Sequence, residues 1–78
     1  MKNVNVKGGT MIIEALRLRY ESQIAEAKAN IQVYIDNPAG IGEHPDLVAA
    51  VDHQMSALAD AQDKLESLIQ IYGDELDD

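Results

Sequence analysis

The 78-residue chain contains no cysteine, tryptophan or phenylalanine, only two prolines, and six basic residues against fourteen acidic ones. The absence of cysteine excludes disulfides and thiolate metal sites together. His44 and His53 are then the only soft nitrogen ligands, and they stand nine positions apart. A helical zinc site needs its histidines at i and i+4 with a third good ligand, so neither a metal nor any other cofactor is expected. A formal charge of −8 leaves no basic face to displace counterions from nucleic acid, and it disfavours anionic membranes. The longest apolar run is Leu47-Val48-Ala49-Ala50-Val51, where a membrane helix needs about 20. The first residues have no apolar core of a signal peptide, so a cytoplasmic protein is expected.

What is present is alanine, leucine, isoleucine, glutamate, aspartate and glutamine, a composition that favours helix over strand. A chain this short buries only roughly 60% of its unfolded surface and needs a supplement to its core. With disulfides and metals set aside, self-association is the supplement that remains. The expected fold class is all-α: an antiparallel helical hairpin that assembles into a homo-oligomeric helical bundle.

Residues 1–9, "MKNVNVKGG", alternate Val4 and Val6 with polar neighbours and form a flexible or extended arm. The hairpin covers 10–73, with helices at about 11–36 and 45–72 and a loop at 37–44. Thr10 is the expected N-cap of the first helix. Its apolar stripe is Ile13, Leu16, Tyr20, Ile24, Ala27, Ile31 and Tyr34, in steps of three and four. Glu14, Arg17 and Glu21 are spaced to pair along its outer side. Pro38 stops it, because the residue before a proline avoids the α conformation. Pro45 suits the first position of the second helix, with His44 as N-cap and Asp46 at the positive end of the dipole. The second stripe is Val48, Val51, Met55, Leu58, Ala61, Leu65, Leu68 and Tyr72. Asp60 and Lys64 are spaced as an i,i+4 pair. Gly73 is expected to end the helix in a left-handed cap, leaving 74–78 as a solvated acidic tail.

Two helices do not enclose a core. Ile12, Leu18, Ile35, Leu47, Ile69 and Ile71 flank the stripes and widen them beyond what one partner helix covers. The loop "DNPAGIGEHPDLV" is dense in special residues. Gly40 and Gly42 ahead of a helix start, beside His44, place backbone N–H groups where an anion can bind. No third glycine and no Lys-Ser/Thr follows, so neither the dinucleotide nor the P-loop fingerprint is met, and positive φ for a chain reversal explains the same glycines. Arg17 and Arg19 beside Tyr20 offer a guanidinium fork and a ring for stacking, with Tyr34 a second ring. Salt bridging on an exposed helix face explains the same arginines. Ser22, Ser56 and Ser67 have no histidine and acid in a recognisable arrangement, so no catalytic residue is assigned and no enzyme is expected.

The pieces "LRYESQI", "VYI-NP-GIGEHP" and "AQDKLESL" make most of the chain from Ile13 on resemble small helical proteins carried by T4-like tailed phages of marine bacteria. The resemblance leaves out residues 1–10. It implies a phage origin and a helical hairpin, and it supplies no mechanism. Two functional readings follow. In the first, the chain is a non-enzymatic interaction protein, a homo-oligomer that binds a host or virion protein. In the second, by analogy with phage proteins that sequester immune signals, it is an anti-defence sponge. It would then hold a cyclic dinucleotide or ADP-ribose-type nucleotide between subunits, through Arg17, Arg19, Tyr20, Tyr34, Gly40, Gly42 and His44. The net charge opposes an anionic ligand unless the basic groups converge.

Overall fold

A computed structural model describes residues 8–37 and 46–76. Helix α1 spans Gly8–Asp36, helix α2 spans Leu47–Tyr72, and a 3-10 turn follows at Gly73–Glu75. The two helices pack against each other as a hairpin, and no strand occurs among the described residues. Their directions are opposed: Asn30 meets Gln54 while Tyr20 meets Lys64, so the α2 number rises by ten as the α1 number falls by ten. The expected arm at 1–9 is shortened, since α1 already includes Gly8 and Gly9 and carries Thr10 inside it rather than as a cap. Glycine accepts helical dihedrals at a cost of about 1 kcal/mol against alanine, a cost that the continuing helix absorbs. Residues 1–7 and the loop residues 38–45 lie outside the described residues.

The start of α2 also differs from expectation. Asp46 is the N-cap, with φ −140° and ψ 88°, and its carboxylate accepts the Ala49 N–H at 2.8 Å. The helix therefore begins at Leu47, two residues beyond Pro45, and His44 is not its cap. The reason is chemical: an aspartate oxygen satisfies one of the orphan N–H groups of the first turn, a contribution of about 1 kcal/mol over alanine.

On α1 every residue of the expected stripe is buried or half-buried. On α2 only part of it is. Val48, Met55 and Tyr72 are exposed, and Leu47 and Gln54 take seam positions instead. The α2 seam thus reads Leu47, Val51, Gln54, Leu58, Ala61, Leu65 and Leu68, in alternating steps of four and three, the heptad pattern of helices that pack along their length. Gln54 outranks the more apolar Met55 because it lies on that line. Its side-chain oxygen accepts from the Asn30 amide across the seam at 3.2 Å. Of the flanking residues, Leu47 is drawn into the seam, whereas Ile12, Leu18, Ile35, Ile69 and Ile71 are exposed.

The molecule measures 51 × 23 × 15 Å. A helix with side chains is about 10–12 Å across, so the hairpin is a slab one helix thick. Among the described residues only Ala27, Ala61 and Leu68 are buried, at 2, 1 and 8% exposure. No described helix is long and apolar enough to cross a membrane.

Gly73 does not form the left-handed cap. Its φ of −59° and ψ of −31° are right-handed, and its N–H donates to the Ile69 carbonyl. The chain instead tightens into the 3-10 turn, which the Leu76 N–H closes onto the Gly73 carbonyl at 3.0 Å. Asp74 and Glu75 therefore lie in a 3-10 turn, with both side chains exposed, and residues 77–78 lie outside the described residues. A Cβ at position 73 would sit 3.4 Å from Ile69 Cγ2, an ordinary contact. Gly73→Ala is expected to raise stability by about 0.5–1 kcal/mol, by restricting the unfolded chain. Thermal melts at one fixed protein concentration read the change; a loss of that size would restore the left-handed cap.

Candidate functional site

The helical step of 100° per residue divides the hairpin surface into two sides of the seam. On one side of α2 project Val48, Asp52, Met55, Gln62 and Glu66. An antiparallel partner presents Glu14, Arg17, Glu21, Lys28 and Ile35 to that same side. The opposite side carries Arg19, Gln23, Glu26 and Asn30 from α1, and His53, Ala57, Asp60 and Lys64 from α2. Arg17 and Arg19, two positions apart, thus project about 200° from each other. The fork that their adjacency suggested does not form.

Arg17 is engaged besides. Its Nε donates to Glu14 Oε1 at 3.1 Å and its Nη2 to Glu14 Oε2, while Nη1 donates to both Glu21 oxygens at 2.9 Å. Hydrogen bonds donated to Glu14 first, and then to Glu21, push the guanidinium above its ordinary pKa. A cation whose folded pKa is raised contributes its stability at every pH below the unfolded value, so this clamp stays charged on the arginine side throughout the neutral range. The expected outer-side pairs of α1 are therefore present, and they use Arg17 up.

Tyr20 is half-buried in the seam, and the Lys64 ammonium lies 6.0 Å from its ring centroid. Lys64 also makes the expected pair with Asp60, at 3.0 Å. Its position over Tyr20 had no signal in the sequence, because forty-four positions separate the two and only the register of the helices joins them. Leu68, Ile71 and Tyr72 complete a shallow hollow of about 260 Å³ beside this ring. Tyr34, also half-buried, lies fourteen residues along α1 from Tyr20, roughly 21 Å at 1.5 Å per residue. The structure does not bring the two rings together. Gly40, Gly42 and His44 lie outside the described residues.

Two further surfaces emerge from the packing. A polar groove of about 320 Å³ has Ala27 and Ala57 in its floor and Gln23, Asn30, Gln54 and Lys64 among its walls. It exists because alanines bring no bulk where the helices meet. Its amides offer donors and acceptors in equal measure, and one donor and one acceptor of them are joined in the Asn30–Gln54 bond. The second surface is an apolar hollow of about 440 Å³ at the connected end of α2, formed by Leu47, Val48, Val51, Asp52 and Met55.

Ser22, Ser56, Ser67 and His53 are all exposed on helix faces. No group of three His, Asp or Glu side chains converges as for a metal ion among the described residues. No family model, curated protein or solved structure matches the chain.

Proposed function

We propose that this chain is a non-enzymatic helical interaction protein that acts as a homo-oligomer and docks on a partner protein, from host or virion on the strength of the phage resemblance. One observation carries the reading: ten large apolar side chains, from Met55 at 47% to Val48 at 80%, stand exposed on a slab one helix thick. Scattered single apolar residues are ordinary on a surface, but the described residues, with three buried and ten large apolar side chains exposed, carry their apolar surface outside rather than inside. Packing against further helices is the way helical hairpins cover it.

The nucleotide-sequestering reading has less support. Arg17 is taken by two glutamates, Arg19 projects to the other side, and the two tyrosines are far apart on α1. Six bases against fourteen acids set an overall field that opposes an anionic ligand.

Sedimentation velocity at micromolar concentration tests the proposal. The expected mass is an integral multiple of 8.5 kDa, with two chains the smallest solution. A fully helical species of single-chain mass would overturn it.

A further inference from the structure

We infer that a second copy of this chain docks along the outer face of α1, the face turned away from α2, with the two copies of α1 antiparallel. The inference rests on the oligomeric reading above and goes beyond it by naming the face and the charges that pair across it.

The face shows in the spacing. Met11, Ala15, Leu18, Ser22, Ala25 and Ala29 recur in alternating steps of four and three, the heptad spacing of helices that pack along their length. At 100° per residue this line lies on the far side of α1 from Ala27 and the seam, and all six residues are exposed. Met11 is 60% and Leu18 53% exposed, and Val33, at 54%, lies beside the far end of the line. Charged and polar residues belong on the water-facing side of a helix, so an uncharged heptad line there is a second packing face. α2 supplies the contrast. Its outer face repeats the spacing as Asp52, Ser56, Ala59, Asp63 and Glu66, which holds three acids and no base.

Charge decides the occupant. From Asp46 to Glu75 seven acids stand against Lys64 alone, so two copies of α2 repel each other. Between Met11 and Val33 the acids Glu14, Glu21 and Glu26 balance the bases Arg17, Arg19 and Lys28, and that stretch of α1 is neutral. Arg17 is held by Glu14 and Glu21 of its own helix. Arg19, Glu26 and Lys28 are exposed and make no ion pair or side-chain hydrogen bond among the described residues.

Those three residues and Glu21 line the two edges of the heptad face, Arg19 with Glu26 on one edge and Glu21 with Lys28 on the other. Charges at such edge positions set the orientation of packed helices. In antiparallel copies like edges meet. With Ser22 opposite Ala25 of the second copy, Arg19 stands beside the other Glu26, and Glu21 beside the other Lys28. The two-fold axis repeats each pair, which gives four contacts of opposite sign and none of like sign. Parallel copies would instead set Glu21 against Glu26. The antiparallel register also places Leu18 against Ala29 of the second copy, large against small, and the alanines let the helix axes approach. The dimer is four helices in a row, and Val48, Met55 and Ile71 on α2 stay uncovered.

The test uses the full chain. Leu18→Glu combined with Ala25→Glu places carboxylates on two exposed positions, and it should raise the self-dissociation constant by roughly 100-fold or more. Arg19→Glu alone should weaken association about tenfold, and adding Glu26→Arg should restore it. The two positions are roughly 10 Å apart along one helix, so the exchange works only across the contact, and absence of rescue overturns the pairing. Because the chain has no cysteine, Ser22→Cys and Ala29→Cys each supply a single thiol. Across the antiparallel contact two chains carrying Ser22→Cys hold their thiols about 4.5 Å apart along the axis, and two carrying Ala29→Cys about 16.5 Å. A short bismaleimide should link the first variant efficiently and the second poorly. Equal linking from both overturns the inference even if the glutamate variant fails to fold. A wild-type chain that is oligomeric, and stays so in the double glutamate variant, overturns this face alone. A wild-type chain of single-chain mass overturns the oligomeric reading together with it.

Discussion

Ala61→Leu is expected to destabilise the hairpin by about 2 kcal/mol, the middle of the range for overpacking a filled interior. For a domain of this size that corresponds to a fall in melting temperature of roughly 8–16 °C. Ala61 is only 1% exposed, and Ala27 on the facing helix 2%. The distance between packed helices is set by the side chains at their contact, within about 8–10 Å, so alanines at the middle of the seam let the two axes approach. Three added carbons at position 61 must either move α1 outward, which loosens the contacts above and below, or twist the new side chain off its rotamer. A slab one helix thick can let part of a leucine swing toward solvent, which keeps the expected cost from going higher. Ala59→Leu is the control. Ala59 is exposed on the same helix, and a surface change of that kind should stay within about 0.5 kcal/mol. Melts of the two variants at one protein concentration separate seam crowding from any change in helix propensity, since the added side chain is the same. Equal stability of the two would mean that the helices are not in close contact at Ala61.

Leu68→Ala should cost about 2–3 kcal/mol, the lower part of the span seen for removing a buried leucine. Leu68 is the largest buried side chain of the described residues, at 8% exposure. It stands beside Tyr20 and Tyr72 at the margin of the shallow hollow that Lys64 also lines. Truncation both withdraws apolar surface from burial and deepens that hollow. The opening to solvent lets water enter the gap, which is why the cost stays below that of an enclosed cavity. Ile71→Ala, three positions on and 68% exposed, should change stability by less than about 0.5 kcal/mol. Chemical denaturation with a common slope measures both. A loss at Ile71 as large as that at Leu68 would mean that the open end of α2 is covered rather than exposed.

Residues 13 to 34 show what can be read locally. The recurrence of Ile13, Leu16, Tyr20, Ile24, Ala27, Ile31 and Tyr34 places one stripe on one helix without reference to anything else in the chain, and each of those side chains faces the partner helix or borders the seam. The pairs of Arg17 with Glu14 and Glu21, and of Lys64 with Asp60, follow from the same short-range geometry. Gly73 and Pro45 show where such reading failed. In each case the preference of the residue type points one way and the surrounding chain decides otherwise. The helix could continue through a right-handed Gly73 into a 3-10 turn, and Asp46 offered a better cap than His44.

The sequence by itself determined that the chain makes two long helices, roughly where each lies, and that their apolar stripes outrun what one hairpin hides. Only the tertiary structure decided which residues stand opposite one another. Gln54 displaced Met55 from the seam because it faces Asn30. Lys64 came to lie over Tyr20, and Arg17 and Arg19 were sent to opposite sides. The reason is that periodicity is a property of a few consecutive turns, whereas register is a property of a pair of helices. It is settled by how two stripes and their polar interruptions fit together, and that fit is not contained in either helix alone.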